Sequence, residues 1–185
     1  SLNWKTLLTV DNLLKIIIHK KLAELCAVVG ESGSGKSTSL RNLDPTKTFI
    51  INVANKPLPI RGYKKNYTPL KQDPSTKKFE GNLYNTSDVD KILKILKIID
   101  TTMPHIEQVI IEDSQYIMSF EAMDRALEKG YEKFTQLAQH FHSILKEAMN
   151  MRSSLKVFVF CHSDNVGDIL NPQFKIKTIG RKFCL

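Results

Sequence analysis

Residues 30–38 read GESGSGKST and follow directly on the apolar run Leu25-Cys-Ala-Val-Val29. Gly30, Gly35, Lys36 and Ser37 meet the spacing G-x-x-x-x-G-K-[ST]. Glycines at these positions let backbone N–H groups turn inward around an anion without Cβ clashes. A helix opening at Lys36 would aim its positive end at the same point. With glycine at ~7% of residues, a chance match in a chain of this size has odds of roughly one in a hundred or less. An apolar strand before and a helix after reduce those odds further. The stretch therefore implies a phosphate cradle built from Gly30, Glu31, Ser32, Gly33, Ser34, Gly35, Lys36, Ser37 and Thr38. In that chemistry Lys36 bridges the β- and γ-phosphates of a nucleotide, and the Ser37 hydroxyl ligates Mg²⁺.

The rest of the chain fits around such a loop. At 185 residues it suits one domain over 1–185 and can bury a core without staples. Asp11 reads as the N-cap of an N-terminal helical segment within residues 1–24. Leu25–Val29 is short and continuously apolar, as a strand covered on both faces is, and Thr48–Val53, Gln108–Asp113 and Lys156–Cys161 read as the second, third and fourth strands. Phe174–Ile179 alternates and reads as a fifth strand. Between them, Ser37–Asn42, a segment started by Thr86-Ser87-Asp88, and Phe120–Asn150 with a break near Gly130 read as helices. Val89, Ile92, Leu93, Leu96 and Ile99 share one face of the second. Strands alternating with helices predict a three-layer α/β fold with a mostly parallel sheet of about five strands. Residues 55–85, with Pro57, Pro59, Pro69 and Pro74, read as a long irregular insertion.

Composition excludes some classes. No apolar run approaches the ~20 residues of a membrane span, and no signal-peptide pattern opens the chain, so a cytoplasmic protein is expected. Cys26, Cys161 and Cys184 have no metal-type spacing, and the first two fall in runs expected to be buried and inert.

Two further elements should complete a nucleotide site. Mg²⁺ needs a carboxylate near its water shell, and VIIEDSQY offers Glu112 and Asp113 at the end of an apolar strand. Adjacent strand residues point to opposite faces. Either Asp113 supports the metal, the preferred assignment, with Glu112 as the candidate base, or Glu112 supports it and Asp113 polarises the attacking water. His162 follows the run KVFVFC, and ligands of open α/β sheets sit at the carboxyl ends of strands. It is the candidate sensor of the terminal phosphate.

These stretches, with FIINVANKPLPIRGYKKNYTPL and EKGYEKFTQLAQHF, resemble phage-encoded AAA/RecA-like ATP-binding proteins, the RecA-like single-strand annealing ATPases among them. The resemblance runs from about Leu25 to Arg181. It implies a P-loop NTPase fold of RecA-like type, ATP with Mg²⁺, and a homo-oligomer acting on single-stranded DNA in phage recombination or replication, in the host cytoplasm. Lys36, Glu112, Asp113 and His162 carry over as catalytic residues, with Ser37 and Asp113 at the metal. The stretch FKIKTIGR makes Lys175, Lys177 and Arg181 candidates for a finger reaching a neighbour's nucleotide. Many relatives carry aspartate where Glu112 stands. They also often continue past the last strand, so the end at Phe183-Cys184-Leu185 is expected to fall short of their assembly elements.

Net charge is +8, from 27 basic and 19 acidic residues, and much of the excess is local. Lys56–Lys78 holds seven basic residues against one acid, Asp73. Lys56, Arg61, Lys64, Lys65, Lys77 and Lys78, interleaved with Tyr63, Tyr67 and Phe79, are the candidate nucleic-acid residues, since cations neutralise phosphates and aromatic rings stack bases. Two other readings share the phosphate loop. One is a nucleotide-dependent binding switch with little turnover. The other is a small kinase, for which the chain lacks an arginine-rich lid.

Overall fold

The computed structural model describes residues 22–165 and 174–178. The predicted N-terminal helix, Arg181 and Cys184 lie outside the described residues. Strand β1 (Glu24–Gly30) leads into the glycine loop, a single helical turn α1 (Lys36–Ser39) and a 3₁₀ turn at Leu40–Asn42. Strand β2 (Thr48–Asn52) follows, then a 3₁₀ turn at Tyr63–Lys65 and a small hairpin of β3 (Lys71–Gln72) and β4 (Phe79–Glu80). Next come β5 (Leu83–Asn85), α2 (Val89–Thr102), β6 (Gln108–Glu112), α3 (Gln115–Asp124), α4 (Glu132–Asn150), β7 (Lys156–Asn165) and β8 (Phe174–Ile176).

The main sheet runs β1-β7-β6-β2-β5, every neighbouring pair parallel. β8 pairs antiparallel with the end of β7. The first four expected strands are strands. The insertion at 55–85 is less irregular than its prolines suggest, because it contributes β5 to the sheet edge and forms the β3–β4 hairpin. Gly81 makes the return possible. It sits at φ +95°, and a Cβ there would lie 2.3 Å from the Pro69 carbonyl oxygen.

The pleat sorts the core into two layers. Phe49, Ile51, Val109, Ile111, Val157, Val159 and Cys161 face α2, α3 and α4, where they meet Ile92, Leu96, Ile99, Ile117, Leu137, Phe141 and Ile144. Each such side chain, fully buried, contributes about 1.5–3 kcal/mol. Ile50, Ile110 and Phe160 face the other way, onto Leu40, Leu58, Tyr67 and Leu83. Among the described residues that second face is covered by the 3₁₀ turn at Leu40–Asn42 and the insertion, not by long helices. β1 is a further departure: it lies at the sheet edge and Cys26 is exposed, whereas Cys161 is buried.

Helix α2 starts where its sequence says. The Asp88 side chain accepts from the Lys91 N–H at 3.1 Å, satisfying a free donor of the first turn. Its buried face is Ile92, Ile95, Leu96 and Ile99, with Val89 and Leu93 at the margin. Its far end is closed by Arg152, whose guanidinium donates to the carbonyls of Ile99, Asp100, Met103 and Ile106 at 2.6–3.0 Å. The Ile99 and Met103 carbonyls also accept from the Met103 and Ile106 N–H groups, so the guanidinium adds to the backbone bonds that close the helix end.

Candidate phosphate site

Gly33 and Gly35 have φ of +80° and +90°, the left-handed region that glycine enters without strain. They fold the loop so that the Lys36 ammonium lies back across it, donating to the carbonyls of Gly30 at 2.7 Å and Glu31 at 2.8 Å. Helix α1 has only four residues, so it adds one turn of dipole. The attraction for an anion rests on the loop amides and Lys36.

Beside the loop opens a cleft of about 310 Å³ lined by Ser32–Thr38, Asn52, Lys56, Pro57, Leu58, Pro59, Glu112, Asp113 and His162. It sits at the carboxyl ends of β2, β6 and β7. Five parallel strands ending on one side make such a crevice. The residues singled out on three separate strands thus converge on one place.

Their order differs from the preferred reading. Ser37 Oγ donates a short hydrogen bond to Glu112 Oε1, so it is Glu112, the last residue of β6, that meets the loop serine. Glu112 is 4% exposed, and its Oε2 is buried without a partner. Burial raises the pKa of its carboxyl, against the pull of the Ser37 hydrogen bond. Asp113 lies one residue past the strand at φ +58°. Strand alternation no longer applies there, which is why both acids line the same cleft.

Asp113 is held from two sides. Lys56 Nζ is 3.3 Å from Oδ2 and His162 Nε2 is 3.2 Å from Oδ1. Burial pushes the His162 pKa below the ordinary histidine value, helped by Lys36 and opposed by Asp113. The imidazole is therefore neutral at neutral pH, with Nε2 lying beside the carboxylate. The turn that carries Asp113 is tied to β7: Ser114 donates from N and Oγ to the Phe160 carbonyl, both at 3.0 Å, and Gln115 Oε1 accepts from the His162 N–H at 3.3 Å.

Lys56 belongs to this cleft and stands apart from the other basic residues of the insertion. Its ammonium also reaches the Tyr116 hydroxyl at 3.4 Å and lies 4.5 Å from that ring's centre. Burial works to lower its pKa, but Asp113 and Tyr116 raise it overall, so it stays charged. Asn52 and Tyr116 had no sequence signal beyond lying near a strand end and a motif.

Of the three rings in the basic loop, Tyr67 is withdrawn from any base by burial, while Tyr63 and Phe79 are half-buried. Tyr67 is 3% exposed in the second core layer, Tyr63 packs against it, and Phe79 packs on the helical layer. Each ring interleaved with the cations thus has at least one side against a core layer. Arg61, Lys64, Lys65, Lys71, Lys77 and Lys78 do stand exposed, and among the described residues they make no ion pair. Lys177 Nζ is 3.4 Å from Asp164 in its own chain, while Lys175 is exposed.

Among the described residues no cluster of three or more His, Cys, Asp or Glu could hold a metal by itself. The residues present suit Mg²⁺ brought by a nucleotide, which takes one or two carboxylates, a hydroxyl and phosphate oxygens. Ser37 and Glu112, with its unpartnered oxygen, provide that set. No helix among the described residues is long and apolar enough to cross a membrane. In comparison with known proteins, no family model matches the chain, and no curated protein matches it.

Proposed function

We propose that this protein is a Mg²⁺-dependent ATP-binding protein and ATPase of P-loop, RecA-like type, working as a homo-oligomer on single-stranded DNA. The observation that carries the reading is the convergence of Lys36, Ser37, Glu112, Asp113 and His162 on one cleft beside the glycine loop. ATP rather than another nucleotide rests on the family resemblance stated above, and so do DNA and assembly.

Each side chain has its own task. Lys36 leaves the loop carbonyls for the β- and γ-phosphates. Ser37 and Glu112 hold the Mg²⁺, which neutralises phosphate charge when bound. Asp113 receives the proton of the attacking water, and His162 holds the Asp113 carboxylate in place. The exposed cations of the insertion supply backbone contacts to DNA. Lys175 and Arg181 remain the candidates to reach a neighbouring subunit's nucleotide, since Lys177 is already paired with Asp164.

A nucleotide-dependent switch with little turnover is the second reading, and one feature favours it. Asp113 is engaged by both Lys56 and His162, so its carboxylate is not free to take a proton until one of them moves. A kinase is less supported, because no arginine lines the cleft among the described residues.

Phosphate release from Mg-ATP, with and without single-stranded DNA, separates these readings. An ATPase on DNA releases phosphate faster when DNA is added, and Glu112→Gln and Lys36→Ala abolish that release. ATP binding without release under either condition would favour the switch.

A further inference from the structure

Among the described residues that line the cleft, the cations are Lys36 and Lys56. Lys36 belongs to the loop motif, but nothing in that motif accounts for Lys56. Its backbone is fixed at the rim. Strand β2 ends at buried Asn52, whose Nδ2 donates to the Lys56 carbonyl at 2.7 Å, and Asn55 turns the chain back at φ +53°. Its side chain, by contrast, is 56% exposed on a flexible stem. An ammonium has three donors, and here two of them reach Asp113 and Tyr116.

Without nucleotide the cleft's charges balance, with Lys36 and Lys56 against Glu112 and Asp113. A triphosphate with its magnesium carries about one more negative charge than the diphosphate complex, and its terminal group is one that the diphosphate lacks. Lys36 is shared between the β- and γ-phosphates, so it answers both nucleotides. Lys56 approaches the cleft from the Asp113 side, where an attacking water and the terminal phosphate would lie. Its link to Asp113 is long, at 3.3 Å, and its ammonium end is exposed, so it is a weak pair. A charge-assisted hydrogen bond to a phosphate oxygen is stronger than that.

We infer that Lys56 is the residue through which the site distinguishes a nucleoside triphosphate from a diphosphate: it leaves Asp113 for the terminal phosphate and thereby frees the Asp113 carboxylate. The inference rests on the phosphate-site reading above and adds a specificity role within it. Lys56 is a positioning residue for Asp113 in the empty site and touches the ligand in the filled one. The Tyr116 ring, stacked on Phe120 at 5.3 Å and edge-on to His162 at 6.3 Å, is the platform along which the ammonium moves.

The test is calorimetric titration of the full chain with Mg²⁺ and either ADP or the β,γ-imido analogue of ATP. Wild type, Lys56→Ala, Lys56→Arg and Lys36→Ala are compared. Lys56→Ala is expected to lose ~10-fold or more in affinity for the triphosphate analogue while ADP binding changes less than about 2-fold, the scale of one charged hydrogen bond. Lys56→Arg should restore most of the preference. Equal loss for both nucleotides, or no loss for either, would overturn the role of Lys56 and leave the phosphate site standing. No nucleotide binding by wild type, or undiminished binding by Lys36→Ala, would instead overturn the reading on which it rests.

Discussion

The Ser37 hydroxyl donates its hydrogen bond to Glu112, joining the glycine loop to the end of β6 across 75 residues of sequence. This one hydrogen bond makes Glu112 the acid nearest the loop. It also leaves a carboxylate buried with one oxygen paired and one not.

Opposite effects on stability follow from the two partners. Burial raises the Glu112 pKa, so the folded protein holds this proton to higher pH than the unfolded chain does. Stability contributed while the group is protonated is lost as pH rises from the ordinary glutamate range through the raised folded value. Glu112→Gln removes that penalty and should raise Tm at neutral pH by a few degrees, a gain of ~1 kcal/mol, while abolishing turnover. Ser37→Ala strips the carboxylate of its partner and should cost about 1–3 kcal/mol. Thermal unfolding of both variants and of the double variant reads the coupling directly.

His162 gives a second pH signature with its own sign. Burial, then Lys36, lowers its pKa despite Asp113, so the unfolded chain takes up the proton at higher pH than the folded one. Stability should therefore fall as pH drops below the ordinary histidine range and level off below the lowered folded value. Tm measured between about pH 7 and pH 5 should fall more steeply for wild type than for His162→Asn. Parallel curves would mean that the imidazole is not held neutral by its surroundings.

Arg152 is predicted to matter for stability alone. Its guanidinium donates to four carbonyls at the end of α2 and just beyond, and truncation removes those four side-chain hydrogen bonds at once. Arg152→Ala should cost about 2–3 kcal/mol in denaturant unfolding, and lysine should not rescue it, because an ammonium cannot span the four acceptors.

The insertion's lysines and its buried ring make separable predictions for DNA. Replacing Lys64, Lys65, Lys77 and Lys78 with Gln should flatten the log–log salt dependence of single-strand binding by up to ~0.7 for each phosphate no longer neutralised. Tyr67→Phe should leave DNA affinity unchanged, because the ring is buried in the second core layer and the substitution keeps it there. The same substitution removes a buried hydroxyl that has no partner, so it should not destabilise the fold.

The parts legible in the sequence are those set by local pattern. Thr48–Asn52 is buried at every position, as an unbroken apolar run in a parallel sheet must be. The glycine spacing is likewise local, because Gly33 and Gly35 answer to their own backbone torsions. What was not legible depends on distant partners. Leu83–Asn85 is too short to show a period, and it becomes a strand only because the β2 edge is open to it. Lys56 is 57 residues from Asp113, and its charge looked like the rest of a basic run. Tyr63 and Tyr67 alternate with lysines for a structural reason: the segment is itself the second core layer, so apolar faces turn inward while ammonium groups stay in water. The left-handed turn at Asp113 defeated the alternation rule that separated it from Glu112.

The most direct test of the central claim is equilibrium titration of the purified chain with Mg-ATP beside Lys36→Ala. The account predicts saturable binding by wild type and a loss of ~3–4 kcal/mol, the scale of a removed electrostatic donor, in the variant. Wild type that does not bind, or a variant that binds as tightly as wild type, would contradict it.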